Sequence, residues 1–332
     1  MNKNIEKIRF EPNSFFKNGH IQTIYLGSVR KVKDLENTEK IEIKTDTGTS
    51  IKCDYNKISQ YSKKLCILVH GLEGSSKSTY IASLAKKLLN INSDTLRINL
   101  RGCGGTSQLS NTFYHAGLTI DLKKIIDYSI NEMKYEEIII VGFSLGANMV
   151  LKLGGEYKNN FPKELKGICS ISPPLELNMS SREILKLSNK MYDKYYLDKL
   201  KITYKEKQKF FPEIVDLSIL KKIKTLYDFD NLITAPHFNY KNAIDYYSKN
   251  SSINFIKDIQ IKTLIIQSKD DPIIPPSSTE KAMIIKNENI EYLFTKHGGH
   301  VAFVNSEKAS KNDIDIHWAE NRVVDFCKKI LI

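Results

Sequence analysis

The chain has 332 residues, of which 41% are hydrophobic and 27% are charged. This is an ordinary globular balance, and the length is sufficient for one large domain with an insertion or for two domains. No apolar run approaches the roughly 20 residues that a membrane-spanning helix needs. The charged N-terminus lacks an apolar core, so we expect no secretory signal peptide.

The formal net charge of +12 has two interpretations. A basic protein can bind nucleic acid or an anionic membrane surface, and its basic residues are then usually gathered into a patch or stripe. The lysines of this chain are spread along its whole length. That distribution favours the other interpretation, in which the charge reflects the general amino-acid usage of the chain and not a binding surface. It predicts no nucleic-acid partner.

The cysteines are odd in number, widely separated and free of any Cys-x-x-Cys pair. They are Cys53, Cys66, Cys103, Cys169 and Cys327. This usage predicts reduced, mostly buried thiols in a cytoplasmic protein. Residues with the spacing of zinc ligands do not occur in the sequence, so we expect no metal site.

Short apolar runs alternate with amphipathic helical patterns over most of the chain. The predicted elements are a hairpin of 40–46 and 50–56, a strand at 65–69, a helix at 78–89, a strand at 95–100, a helix from Thr119 to about Met133, a strand at 138–141, a helix ending near Tyr157, strands at 167–171 and 263–267, a helix at 278–284, a strand at 290–295 and a helix at 313–331. Thr119 is expected to cap its helix. Strands alternating with helices predict a mostly parallel sheet covered on both faces, with the hairpin as an antiparallel edge.

Residues 175–261 interrupt the alternation with a stretch rich in lysine, tyrosine and helix-forming residues. An insertion at this point would sit over the carboxyl ends of the strands, where open α/β sheets bind ligands. We therefore interpret it as a helical lid; the alternative is a helical pair packed on the sheet edge. The predicted organisation is a core of 1–174 and 262–332 with a lid of 175–261.

The most informative motif is Gly142-Phe143-Ser144-Leu145-Gly146, which follows a β-branched run and precedes a helix-compatible stretch. It is the G-x-S-x-G nucleophile elbow in its strand–turn–helix context. The strand and helix approach each other closely in such a turn, so glycines are needed on both sides of the serine. We expect a strained backbone at the serine and an exposed hydroxyl above the sheet.

A serine hydroxyl needs an adjacent base, and that base needs an acid to orient it. On sheets of this kind the chain order is serine, then acid, then histidine. Asp271 follows a predicted strand, although Asp270 beside it is an alternative. His300 follows the next strand, with His297 as the alternative. The prediction is Ser144, Asp271 and His300.

An oxyanion hole would combine two backbone N–H groups. One is that of Leu145, directly after the serine, and the other is expected from Leu72 in the loop 70–74. His70 is interpreted as a structural residue that fixes this loop through hydrogen bonds.

Two competing motifs are incomplete. Residues 71–78 nearly form a phosphate-binding P-loop, but Ser76 stands where that motif requires glycine before the lysine. Gly102-Cys103-Gly104 lacks the third glycine of a dinucleotide fingerprint. Neither predicts a nucleotide site.

With these residues identified, nearly the whole chain resembles the α/β-hydrolase superfamily, and more narrowly its YheT-type branch of bacterial predicted hydrolases and eukaryotic lipid esterases. The resemblance is carried by residues 18–23, 70–74, 101–105, 114–121, 142–148, 245–247, 270–272 and 299–303. One departure is Lys262, where the family tends to have Pro or Ser. The resemblance implies a serine carboxylesterase acting on acyl esters or glycerolipids, and it implies no cofactor.

The functional hypothesis is ester hydrolysis through an acyl-enzyme, with a small-molecule acyl ester as the substrate. A thioesterase or acyltransferase would use the same residues, and a non-catalytic binding protein on this fold is the alternative from another class. Residues 182–224 contain 12 basic and 6 acidic residues among Tyr, Phe and Leu. This composition predicts weak contact of the insertion with anionic membranes.

Overall fold

A computed structural model describes residues 9–58 and 62–331 of the chain. Within these residues eight strands form one sheet, in the order β1-β2-β4-β3-β5-β6-β7-β8. The strands are β1 Glu39–Asp46, β2 Thr49–Asn56, β3 Lys64–Val69, β4 Asp94–Ile98, β5 Glu137–Phe143, β6 Leu165–Ile171, β7 Thr263–Ser268 and β8 Ile290–Thr295. The β1–β2 and β2–β4 pairs are antiparallel and all the others are parallel, which confirms the predicted sheet with its hairpin edge.

Helices cover both faces of this sheet. They are α1 Gly19–Ile24, α2 Thr79–Leu89, α3 Ile120–Asn131, α4 Leu145–Tyr157, α5 Leu177–Ile184, α6 Lys190–Gln208, α7 Leu226–Phe229, α8 Ala235–His237, α9 Ala243–Asn250, α10 Pro276–Ile284 and α11 Trp318–Ile330. The apolar faces of α3 and α4 contribute to one buried cluster, and those of α2 and α11 contribute to another.

The central strands are buried on both sides, and alternate residues point to opposite faces. In β3, Leu65 and Ile67 join the cluster that contains α3 and α4, whereas Cys66 and Leu68 join the one that contains α2 and α11. Because these strands bury every side chain, their sequences read as continuous apolar runs rather than as alternating ones.

The insertion between β6 and β7 is helical, as the sequence indicates, and contains α5 to α9. Its apolar residues form a cluster of their own around Tyr204, Ile223 and Phe229. Ile273 and Ile274, which follow β7, belong to the same cluster. The insertion is therefore tied to the core at the carboxyl end of the sheet.

Two local predictions were wrong. The last helix begins at Trp318 rather than at 313, because the N–H of Trp318 is bonded to the carbonyl of Phe303 and His317 pairs with Val304 in a β-bridge. Thr119 precedes α3 but does not cap it with its side chain; its hydroxyl donates to Glu156 instead. In both cases tertiary hydrogen bonds override a local signal.

Two expectations from composition bear on the described residues. None of the helices in 9–58 and 62–331 is both long and apolar enough to cross a membrane. All five cysteines are buried and unpaired, as predicted.

A buried charged network joins the N-terminal segment, α2 and α11. The carboxylate of Glu320 accepts hydrogen bonds from Arg30 and from Ser83 (2.7 Å), and Lys87 lies 3.0 Å from it. Burial raises the pKa of the Glu320 carboxyl, but Lys87 and Arg30 outweigh burial and hold the pKa at about 2. The charge is thus stabilised in the folded protein relative to the unfolded chain.

We predict that the free energy of unfolding falls as the pH is lowered from about 5 to about 2. A carboxyl whose folded pKa lies below its unfolded value of 4.5 stabilises the fold at pH values above 4.5. This contribution is lost as the pH falls through the folded pKa.

Glu320→Gln should destabilise the protein by about 3 kcal/mol at pH 7, because it leaves Arg30 and Lys87 buried without their anion. Denaturant unfolding from pH 7 to pH 3 measures both effects. An equal pH dependence in the variant and the wild type would contradict the assignment.

Candidate active site

The backbone turns sharply between β5 and α4, and Ser144 stands at the turn. Its φ of 52° and ψ of −119° lie in a region that non-glycine residues rarely adopt. A Cβ on Gly142 would lie 2.3 Å from the carbonyl oxygen of Gly146, and one on Gly146 would lie 2.5 Å from that of His70. Both flanking glycines are therefore required by close backbone approach, as the elbow motif indicates.

The structure brings the three predicted side chains together. His300 Nε2 lies 2.9 Å from Ser144 Oγ, and His300 Nδ1 lies 2.8 Å from Asp271 Oδ2. Asp271 and His300 are both buried. Since Nδ1 faces a carboxylate, it carries the proton, and the lone pair of Nε2 is directed at the serine hydroxyl.

The two candidate acids have different partners. Asp271 Oδ1 accepts hydrogen bonds from the backbone N–H groups of Ile273 (2.8 Å) and Ile274 (2.9 Å), which fix its carboxylate beside His300. Asp270 instead accepts from the N–H of Gly299 (2.9 Å) and lies 3.3 Å from His297 Nδ1. The alternative acid and the alternative histidine thus pair with each other and not with Ser144.

The histidine loop is held by α1, a contact that our reading of the sequence missed. The N–H of His300 donates to Thr23 Oγ1 at 2.8 Å. Gln22, fully buried, accepts from the N–H of Val304 at 2.7 Å and donates to its carbonyl at 3.2 Å. Both residues belong to the 18–23 motif, so the motif was a signal for this contact but did not reveal its partner.

Leu72 and Leu145, whose N–H groups are expected to form an oxyanion hole, line one cavity together with Ser144. Among the described residues, neither the N–H of Leu72 nor that of Leu145 donates a hydrogen bond. The loop with Leu72 is anchored by His70, whose Nδ1 donates to Gly71 and whose Nε2 accepts from the N–H of Leu100. Burial lowers the pKa of His70 to about 4, so it is neutral. Its expected structural role is confirmed.

Glu73 in the same loop is a second residue that our reading of the sequence missed. The Tyr114 hydroxyl accepts from the N–H of Glu73 (2.9 Å) and donates to its carboxylate (2.7 Å). Thr203 of α6 donates to the other carboxylate oxygen at 2.5 Å. Burial raises the pKa of Glu73, against these hydrogen bonds. The side chain thereby links the loop that carries Leu72 to the insertion.

Two cavities meet at Ser144 and His300. The inner cavity, of about 150 Å³, is lined mainly by apolar side chains of the insertion and of the loops beneath it, including Leu145, Leu177, Ile184, Phe229 and Ile274. The outer cleft, of about 530 Å³, is lined by α1, the 71–80 segment and the start of α6, and it contains Lys77 and Lys199. The site can therefore hold an apolar group and a polar group on two sides of one serine.

The near-P-loop segment has a structural role at Ser76. Its N–H donates to Asn99 and its hydroxyl donates to Asp54 (3.0 Å). Among the residues that the structure describes, no cluster of His, Cys, Asp and Glu side chains could hold a metal ion.

The fold and the site define the class of the protein. A family model of the alpha/beta hydrolase fold matches residues 65–307, which is most of the chain. The chain therefore belongs to the α/β-hydrolase family. Within that family it lies in the YheT-type branch: it is 29% identical over 320 residues to the putative esterase YheT of Escherichia coli, covering 96% of this chain and 92% of that protein.

Other comparisons agree with this assignment. The chain is 26% identical over 291 residues to a medium-chain fatty acid ethyl ester synthase/esterase of Saccharomyces cerevisiae, covering 80% of this chain and 62% of the yeast protein. Its fold matches the crystal structure of the esterase Pf2001 of Pyrococcus furiosus with a TM-score of 0.59 at 17% identity, covering 91% of this chain and 99% of that one. The relatives support hydrolase activity for this chain.

Proposed function

We propose that the chain is a serine carboxylic ester hydrolase that works through an acyl-enzyme. The observation that carries the proposal is the continuous hydrogen-bonded arrangement from Ser144 through His300 to Asp271, with distances of 2.9 and 2.8 Å. In the first step His300 Nε2 removes the serine proton while Oγ attacks the ester carbonyl. The imidazolium then gives that proton to the leaving alcohol, and the acyl group remains on Ser144.

In the second step a water takes the place of the alcohol. His300 removes a proton from this water, the resulting hydroxide attacks the acyl carbonyl, and Ser144 leaves with the proton returned to it. Asp271 holds the imidazole orientation and stabilises its positive charge in both steps. The N–H groups of Leu72 and Leu145 stabilise the negatively charged oxygen that forms each time.

The two cavities suggest how an ester would be divided between them. An acyl chain fits the apolar inner cavity, where its burial is favourable by about 0.8 kcal/mol for each methylene group. The leaving alcohol then lies in the wider outer cleft beside Lys77 and Lys199. This orientation supports short- and medium-chain acyl esters or glycerolipid-like esters as substrates.

The same residues would support a thioesterase or an acyltransferase. The yeast relative is named as a synthase and esterase of ethyl esters. This favours acyl transfer to an alcohol as the second candidate, because the outer cleft can admit an alcohol as well as water. A non-catalytic binding protein would have no need of a serine held at φ 52° beside a buried histidine.

Ser144→Ala should reduce kcat/KM for p-nitrophenyl esters by at least about a thousandfold, because among the described residues only the Ser144 hydroxyl is hydrogen-bonded to His300 Nε2. The elbow accepts a small side chain, so we expect little change in thermal unfolding. Ser248→Ala, at an exposed position on α9, is the matched control and should leave the rate unchanged. Retention of more than about a tenth of the wild-type rate in the Ser144 variant would refute the nucleophile.

Asp271→Asn should reduce kcat by about a thousandfold or more, because the amide cannot stabilise the imidazolium of His300. Asp270→Asn is the matched control at the adjacent position. The Asp270 carboxylate accepts from the Gly299 N–H and lies beside His297, so kcat should fall by less than about tenfold. Parallel kinetics of the two purified variants decide the choice. A greater loss in the Asp270 variant would overturn it.

We further propose that residues 175–261 act as a lid that docks weakly on anionic lipid surfaces. Support comes from apolar side chains exposed near the start of α6, where Leu187, Met191 and Tyr195 have exposures of 86%, 53% and 49%. Met191 and Tyr195 border the outer cleft together with Lys199. Apolar groups beside lysines suit the interface of an anionic bilayer.

Leu187→Asp should reduce sedimentation with phosphatidylserine-containing liposomes at low salt by several-fold, because it removes an apolar contact and adds repulsion. Ile284→Asp, at a position outside the insertion that is also highly exposed (77%), is the matched control. Binding that does not depend on anionic lipid, or equal losses in both variants, would contradict the proposal.

We also propose a cytoplasmic location, for which the cysteines are the evidence in the structure as they are in the sequence. All five thiols are buried and unpaired, which is typical of proteins from reducing compartments.

A further inference from the structure

Two acidic side chains, Glu73 and Asp230, line the otherwise mainly apolar inner cavity. The carboxylate of Glu73 is bound by the hydroxyls of Tyr114 and Thr203. Asp230 begins the π-helical turn Asp230–Thr234 of the insertion and lies between Phe229 and Ile233, which also line the cavity. Turns of this type often occur at functional sites. The catalytic proposal gives Asp230 no role, although it shares a cavity with Ser144 and His300.

Asp230 is partly buried, and a carboxylate in such a position is commonly paired with a cation or held by backbone N–H groups. In the described part of the chain, no lysine, arginine or histidine forms an ion pair with Asp230, and its carboxylate accepts no backbone N–H. Its polar partners are the Tyr247 hydroxyl, which donates to Oδ2 at 2.7 Å, and the hydroxyl of Thr234. A carboxylate has about four acceptor positions, so the group retains acceptor capacity.

Keeping this group in the cavity costs free energy. Burial raises the pKa of Asp230 to about 6, although the hydrogen bonds from Tyr247 and Thr234 act in the opposite direction. The hydrogen bond from Tyr247 offsets only part of this cost, because no cation of the described residues pairs with the carboxylate.

We propose that Asp230 binds a hydroxyl group carried by the acyl chain, so that esters of hydroxy-substituted fatty acids are preferred substrates. This inference rests on the proposed function, because it places the acyl chain in the inner cavity. Asp230 accepts the hydrogen bond from the substrate hydroxyl, while the apolar neighbours Phe229 and Ile233 contact the methylene groups on either side. The residue is thereby a specificity determinant and not part of the bond-breaking machinery.

A hydroxyl fits this environment better than an ammonium group does. A neutral hydroxyl loses a few kcal/mol of hydration on entering an apolar cavity, whereas an ion loses far more. The polar side chains that share the cavity wall with Asp230 include Ser180, Ser181 and Thr234, whose hydroxyls suit a neutral ligand. Arg101, which also lines the cavity, is already bound to Asp121 by two hydrogen bonds of 2.7 Å.

The test compares p-nitrophenyl esters of equal chain length with and without a hydroxyl, moved along the chain from position 3 to the terminal carbon. The measured quantity is the ratio of kcat/KM for the hydroxy ester to that for the plain ester within one enzyme, which cancels effects on the catalytic residues. We expect a ratio of at least about 10 at the best position in the wild type, because the plain ester leaves the remaining acceptor positions of Asp230 without a partner. Asp230→Leu should bring this ratio to 1 or below.

Two further variants keep the result interpretable. Asp230→Asn retains one carbonyl acceptor and should preserve part of the preference. It replaces the Asp230→Leu variant in the comparison if the latter does not fold. Ile233→Leu lies on the same turn and should change both esters alike, leaving the ratio unaltered. A wild-type ratio near 1 at every hydroxyl position, an unchanged ratio in both Asp230 variants, or a preference for an ω-amino ester would overturn the inference.

Failure of the inference is distinguishable from failure of the proposed function. If a fluorophosphonate does not label Ser144 and no ester is cleaved, the hydrolase proposal fails. Calorimetric binding of a free hydroxy fatty acid then still tests Asp230: at least about tenfold weaker binding to the Asp230→Leu variant, with the unsubstituted acid unaffected, supports the site. If Ser144 is labelled, but the wild type and the Asp230→Leu variant bind the hydroxy acid and the unsubstituted acid equally well, the inference fails. The hydrolase proposal then stands.

Discussion

The site depends on the close approach of the first turn of α4 to the end of β3. Gly146 lies so near the carbonyls of Val69 and His70 that a Cβ there would come within 2.7 Å of both oxygens. This contact holds Ser144 at a positive φ, a conformation that surrounding structure must stabilise against its strain. It also brings the start of α4 beside the loop that carries Leu72. Ser144, the two candidate oxyanion donors and the histidine loop are then arranged around one point.

Much of this arrangement could be predicted because its signals are local in sequence. Apolar runs bounded by turn residues predicted the strands, and the elbow identified Ser144 from five residues. The order of serine, acid and histidine then limited the partners to two candidates each. In the structure two backbone N–H groups hold Asp271 beside His300, whereas Asp270 lies beside His297. A single sequence indicates that difference only by analogy.

The remaining features join residues far apart in the chain. Thr23 contacts the backbone of His300 across 277 positions, and Thr203 contacts Glu73 across 130. No periodicity or motif connects such pairs, because they arise only when helices of the N-terminal segment and the insertion pack over the sheet. The helical character of the insertion was predictable, whereas the side chains that it presents to the cavity were not.

Two carboxylates illustrate how stability and function can separate in this fold. Glu320 is buried and matched by Arg30 and Lys87, so its charge supports the packing of α11 on α2. Asp230 is partly buried beside a cavity, and its partner is the Tyr247 hydroxyl, with no cation among the described residues. Its charge is therefore not matched as that of Glu320 is, which is the basis for assigning it a ligand.

The central claim is that Ser144 carries the acyl group during turnover. The most direct test is rapid acid quenching of the wild-type protein during hydrolysis of p-nitrophenyl butyrate, followed by mass spectrometry of its peptides. The account predicts a butyryl adduct on the peptide that contains Ser144, formed within the initial burst and lost as turnover ends. Turnover without any covalent adduct, or an adduct confined to another residue, would contradict it.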